Sequence, residues 1–298
     1  MPPVLAHVGG GTLEPLQLLG VAVVALAYWR RARTLATEGR PVPGWRLGCF
    51  ASGLALIAAG LISPLAHMGE ELLLAHMAQH LLVGDIAALL LVCGLTGPLL
   101  QPLLAIRAID RLRILAHPLV AFPLWAASLY VWHVPALYQE ALVSEPLHAL
   151  QHACFVGFGV LMWMPLVGPL PQPRWFGLPA KLGYVVAVRL AGTVLGNVFM
   201  WSNEVFYPDY AAGEEEFGIA PLTDQGTAGV IMTIEGGLVT LGVLAWLFLR
   251  WAERDSERQR LEELAEERGV ELPEGRAERA VDAGEGGRLE ERIRAGDR

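Results

Sequence analysis

Seven apolar runs, each about long enough to cross a bilayer as a helix, constrain this chain more than any other feature of its sequence. They are Leu13–Trp29, Leu47–Leu65, Leu72–Gly94, Pro118–Val134, Leu147–Val167, Leu182–Trp201 and Gly226–Trp251. A hydrocarbon core needs roughly 20 apolar residues in helical form, because each backbone polar group must be satisfied within the segment. The runs are rich in Ala, Leu, Gly and Val without period-two alternation, so they read as helices rather than barrel strands. Prolines fall where helices should stop, at Pro41, Pro43, Pro64, Pro98, Pro102, Pro135, Pro146 and the Pro169–Pro173 cluster. The expected fold class is therefore all-α: a polytopic membrane protein with a seven-helix transmembrane bundle over residues 1–251. A charged tail follows over 252–298, where 10 Arg and 15 acidic residues are crowded together. The tail is expected to continue the last helix to about residue 268 and to be disordered beyond Gly269.

The loops give the expected orientation. Arg30, Arg31, Arg33, Arg40, Arg46, Arg107, Arg111, Arg113, Arg174 and Lys181 all fall in alternate loops, and the other three loops hold no Lys or Arg. By the positive-inside rule the basic loops are cytoplasmic, which puts the N-terminus outside and the C-terminal tail in the cytoplasm. Met1–Thr12 has no Lys or Arg ahead of the first apolar run, so a reversed anchor is expected rather than a cleavable signal. Cys49, Cys93 and Cys154 all lie inside spans without CxxC spacing and are expected as core residues. No Ser-His-Asp constellation, phosphate loop or basic nucleic-acid surface is present, which argues against hydrolase, nucleotide and nucleic-acid roles.

Histidines carry the functional signal. His76 and His80 start the third span, His148 and His152 start the fifth, and His133 ends the fourth, so all five fall in the outer third of the membrane. Spacing i, i+4 sets both imidazoles of a pair on one helix face, which is how a helix offers two ligands to one metal ion. Gln79 and Gln151 share those faces and are expected as hydrogen-bond partners of the ligating rings. In the seventh span Met232 is expected at a similar depth as a thioether ligand, with Asp224 and Glu235 as supporting groups. Imidazoles with a thioether suit copper, particularly Cu(I), whereas imidazoles with a carboxylate suit Zn or Fe as well. Deeper in the bilayer, Asp85 and Arg189 lie at matching depths, and an ion pair between the third and sixth spans is expected, since a lone charge there is costly.

The segments His76–Leu82, Trp132-His133-Val134-Pro135-Ala136-Leu137-Tyr138, His148–His152 and Asp224-Gln225 through Met232 resemble the seven-span CtaG family, bacterial assembly factors for caa-type cytochrome c oxidase. The resemblance covers most of residues 13–250. It implies a non-enzymatic role in maturing the oxidase at its copper centre, with oxidase subunits as partners and the bacterial plasma membrane as location. One departure is that Thr233-Ile234-Glu235-Gly236 stands where the family pattern has an apolar residue and proline. The residues alone leave two other readings open: a b-type haem protein, with histidines on either side of one iron, and a metal or proton transporter.

Overall fold

A computed structural model describes residues 15–282 and 284–295. The chain's first dozen residues, with the reversed-anchor expectation, and the start of the first span at Leu13 lie outside that range. Within it the helices are α1 (Pro15–Thr37), α2 (Gly44–Ile62), α3 (Pro64–Glu71), α4 (Leu73–Leu81), α5 (Ala87–Gly94), α6 (Gly97–Leu104), α7 (Arg107–Arg111), α8 (Pro118–Trp132), α9 (Pro135–Val143), α10 (Glu145–Val167), α11 (Leu178–Trp201), α12 (Ala211–Phe217), α13 (Pro221–Glu267), α14 (Arg276–Asp282) and α15 (Gly286–Ala295). No strand occurs among the described residues.

Five helical stretches are long and apolar enough to cross a membrane: Gly44–Ile62, Leu73–Gly94, Glu145–Val167, Leu178–Trp201 and Pro221–Glu267. A sixth results if Arg107–Ala116 and Pro118–Trp132, bent by 78° at their junction, are one broken span. The chain is an all-helical, multi-pass membrane protein. The expected fourth span shows why the count is not simply seven. α8 has 15 residues, a rise of about 22 Å at 1.5 Å per residue, which falls short of the hydrocarbon core on its own. Pro118 breaks the chain at its start, with His117 extended as its cap. α1 is the counterpart of the first expected span, but it carries Arg30, Arg31 and Arg33 and does not join the set.

The chain divides into two compact units after Val239. In the first unit, one core gathers Tyr28, Leu35, Phe50, Leu54, Leu61, Val83 and Leu91 from α1, α2 and the third span. Tyr28 stacks flat on Phe50 at 3.6 Å and donates its hydroxyl to Gly94 O at the end of α5. Arg46 donates to Cys93 O and Leu95 O, supplying partners to carbonyls that a helix end leaves unsatisfied. The three cysteines are free thiols and half-buried rather than fully in the core.

The third span is not a uniform α-helix. Between α4 and α5, Leu82–Ile86 forms a π-helical turn that contains Asp85. Where this turn meets α10, two glycines face each other: a Cβ on Gly159 would collide with Gly84 O, and one on Gly84 would lie 3.1 Å from Phe155 Cβ. Small residues let helix backbones approach this closely in a membrane, and the helices joined here are the two that carry the histidine pairs.

The second unit contains the residues expected to be disordered beyond Gly269. The structure instead has α14 and α15 there, with Ala277, Val281, Leu289 and Ile293 buried together with Leu261 and Ala265. Each helix supplies one apolar pair at i, i+4, and three such pairs close a small core that no single segment could form. A reading that required a sustained apolar stripe passes over pairs this sparse. The exposed ion pairs, such as Arg260–Glu290 at 2.8 Å, add little stability to that core.

Candidate metal centre

The site begins with how α4 is held at its start. Leu72 is extended, so the first N–H groups of α4 need outside partners. Asp224 supplies them from the start of α13: its carboxylate accepts from Leu73 N at 2.7 Å and from Leu74 N at 2.9 Å. The next residue, Gln225, accepts from Phe206 N and donates to Glu204 O. Asp224 thus caps the helix that carries His76 and His80, in place of the expected contact with a ligand. Removing a cap of this kind costs about 0.5–2 kcal/mol. Asp224→Ala is therefore expected to lower the unfolding temperature of the purified protein and weaken its metal affinity together, whereas Asp224→Asn should retain part of both. Thermal unfolding with and without metal reads this out, and unchanged values for the alanine variant would contradict the cap.

From this start, α4 and α10 bring their histidine pairs face to face. Ring centroids are 4.1 Å apart for His76–His80 and 4.4 Å for His148–His152 along the helices. Across the helices they are 5.5 Å apart for His76–His148 and 5.1 Å for His80–His152. His76, His80 and His148 each offer one ring nitrogen, and these three atoms lie within 4.8 Å of one another. An ion bound at about 2.0–2.1 Å from each nitrogen would draw the three somewhat closer. Small side-chain rotations bridge that difference. His133 joins from the end of α8, within electrostatic reach of His76 and His80, its ring 6.0 Å from Phe155.

The donor chemistry fits a metal. His76 Nδ1 lies 3.0 Å from Gly69 O, and His133 Nδ1 lies 2.6 Å from Leu129 O. A carbonyl only accepts, so Nδ1 carries the proton in both rings and the Nε2 lone pair is left for another partner. Both Nε2 atoms are buried with no hydrogen-bond partner, as are both ring nitrogens of His80. An unsatisfied buried polar atom costs about 1–3 kcal/mol, and a bound metal ion would give the clustered His76 and His80 nitrogens the partner that the protein does not supply.

The other expected site residues are distributed differently. Gln79 donates to Gly60 O at 2.8 Å and so ties α4 to α2. Gln151 is buried with both amide atoms unpartnered. Met232 packs with Leu195, Phe199, Ala228 and Tyr207 in an apolar core. Glu235 lies within electrostatic reach of Asp85 and Arg189, and its Oε1 is buried without a hydrogen-bond partner. The expected Asp85–Arg189 ion pair does not form directly. Asp85 accepts from Trp163 Nε1 at 2.7 Å, and Arg189 donates to Thr233 O.

Three tyrosines went unassigned in the sequence. Tyr138 Oη and Tyr210 Oη are 2.8 Å apart, Tyr138 lies 5.3 Å from the His76 ring, and Tyr207 donates to His133 O at 2.8 Å. The available signal was Tyr138 closing the Trp132–Tyr138 motif and the aromatic run at Phe206–Tyr210. Beside them Glu214 is buried, and burial together with the Asp224 charge raises its carboxyl above the ordinary Glu range.

Residues 26–254 match the profile of a family described as cytochrome c oxidase caa3 assembly factor, Caa3_CtaG. The chain is also similar to a protein of Mycobacterium bovis and one of Mycobacterium tuberculosis, each named as uncharacterised. Identity with both is 26% over 142 residues, which is 47% of this chain and 22% of the relatives. The chain thus covers less than a quarter of the length of those relatives. No solved structure matches it.

Proposed function

The chain belongs to the cytochrome c oxidase caa3 assembly factor family, and from that premise we propose that it binds copper at the histidine cluster and hands it to an oxidase subunit. The observation that carries this reading is the convergence of His76, His80 and His148, with His133 nearby, on buried nitrogens that have no hydrogen-bond partner at His76, His80 and His133. An all-imidazole set in a mostly apolar and aromatic shell suits copper, and transient holding suits delivery rather than electron transfer. Copper is then cargo, not a resident cofactor. Packed imidazole rings 4.1–5.5 Å apart leave little room for a haem macrocycle between them, which disfavours the b-type haem alternative.

The reading includes seven spans in the bacterial plasma membrane. α1 serves as the first span, with Arg30, Arg31 and Arg33 at its cytoplasmic end, and the broken α7–α8 segment serves as the fourth. The alternation of basic and acidic loops puts the histidine cluster at the outer surface and the tail in the cytoplasm. One experiment addresses metal and orientation together. Right-side-out vesicles containing the protein, loaded with Cu(I), should yield their copper to a membrane-impermeant chelator without permeabilisation. Copper released only after permeabilisation would overturn the orientation. Protein that holds no copper but has a reduced-minus-oxidised haem spectrum would overturn the metal assignment.

A further inference from the structure

We propose that a cavity at the bend between α7 and α8 binds one phospholipid whose headgroup carries a primary ammonium, as phosphatidylethanolamine does. The cavity has a volume of about 470 Å³, within the range of roughly 300–1,000 Å³ that small-ligand sites occupy. One wall comes from residues 110–117, where the chain turns by 78° into α8, and the other from residues 170–173, just beyond α10. The cavity thus lies at the opposite ends of α8 and α10 from the histidines. Its chemistry is the same whichever side of the membrane these loops occupy.

The polar groups of the lining offer both donors and an acceptor, as a zwitterion requires. Arg113 is held by Asp110, with Nε 2.8 Å from Oδ1. That contact leaves the two Nη groups of the guanidinium for phosphate oxygens. His117 Nδ1 accepts from Leu119 N at 3.3 Å, so this nitrogen carries no proton and the ring presents its N–H at Nε2. Gln172 supplies the acceptor. Its Nε2 donates to Leu170 O at 3.2 Å, while its Oε1 is buried with no hydrogen-bond partner. Buried acceptors are almost always satisfied, and an N–H brought by a ligand would satisfy this one. The Asp110 carboxylate in the same lining favours a cation as the group that brings it.

Charge and surroundings narrow the ligand further. The Asp110 and Arg113 charges in the lining cancel, so a headgroup that is neutral overall fits better than one with a net negative charge. A quaternary ammonium has no N–H for Gln172 Oε1, whereas a primary ammonium has three. The rim of the cavity points to a lipid rather than a soluble molecule. Ile114, which lines it, is 58% exposed, and Leu119 on the first turn of α8 is 68% exposed. Trp175 is 51% exposed, with its ring 5.9 Å from that of His117, and tryptophan favours the headgroup level of a bilayer. Phosphate and ammonium would sit within the cavity, and the acyl chains would cover Ile114 and Leu119.

Native mass spectrometry of the full chain in detergent tests this, with synthetic lipids of identical acyl chains added one at a time. One phosphatidylethanolamine should stay bound per chain, about tenfold or more tighter than phosphatidylcholine or phosphatidylglycerol, as expected for one charge-assisted hydrogen bond. Gln172→Leu should bring the three lipids to equal affinity, and Arg113→Gln should weaken all three. Equal binding of the three lipids by the wild type, or a preference for either competitor, overturns the proposal. Soluble phosphoethanolamine that binds as tightly as the lipid also overturns it, because the acyl chains then contribute nothing. If either variant fails to fold, wild-type protein decides, using a phosphatidylethanolamine with a photoreactive group next to its phosphate. Crosslinks within residues 107–117 or 168–177 support the site, whereas crosslinks confined to other segments overturn it.

Discussion

Replacing His80 with alanine is expected to abolish stable copper binding while leaving the protein inserted and folded. His80 is one of the two α4 rings through which the pairs meet, 4.1 Å from His76 on its own helix and 5.1 Å from His152 on the facing one. Its nitrogen is also one of the three that lie within 4.8 Å of one another. Losing an outer-shell partner of a metal ligand costs roughly 10–100-fold in affinity, so losing a ligand from a three-nitrogen set should cost more than that. The folding cost is small by comparison. Neither His80 nitrogen has a protein hydrogen bond, so alanine breaks none and removes two unsatisfied polar atoms. A cavity beside Phe155, whose ring is 4.6 Å away, offsets that gain, leaving a net change of about 1 kcal/mol or less, in the usual range for single substitutions. Elemental analysis after Cu(I) loading, paired with thermal unfolding, separates the two effects. Full copper content in a normally folded variant would remove His80 from the site, whereas loss of the protein itself would mark the residue as structural.

How much of this was legible in the sequence depended on whether the information was local. The i, i+4 spacing of His76 with His80 and of His148 with His152 fixes which rings share a face, and the structure turns both faces toward each other. Depth along a helix is also local, and it placed Asp85 and Arg189 at one level. Which acid a buried arginine meets is not local, because it depends on how three helices are rotated about their axes. Glu235 was grouped with Met232, three residues before it on one helix face, and in the structure it lies within electrostatic reach of Asp85 and Arg189. Asp224 was misassigned for a related reason. An acid near a putative ligand helix reads as a ligand partner, but the free N–H groups of Leu73 and Leu74, created by the break at Leu72, claim it first. The fold beyond Gly269 was hidden because its core is assembled from pairs of apolar residues on three separate helices.

The third span and α10 approach most closely at Gly159, where a Cβ would collide with Gly84 O, so Gly159→Val should be the most damaging substitution outside the cluster. Any Cβ at position 159 would overlap Gly84 O, a backbone atom of the π-helical turn, and would lie 3.1 Å from the Ala88 side chain. A flexible side chain could rotate away, but a carbonyl held in a helical turn cannot, so α10 and the third span must move apart. Overpacking of a well-filled interior typically costs about 1–3 kcal/mol, occasionally more, and a clash against backbone belongs at the upper end. The displacement would also reach the metal site. His152 is seven residues from Gly159, two turns along the same face of α10, and it packs against His80, four residues from Gly84. Separating the helices at the glycines therefore widens the gap between the rings. Gly157 provides the control: it is on the same helix, is exposed, and a Cβ there would meet nothing within 4 Å. Gly159→Val is expected to reduce folded protein severely and to leave any folded remainder unable to retain copper, while Gly157→Val should match wild type in both. Equal yield and equal copper content in the two variants would show that the close crossing does not set the geometry of the histidine site.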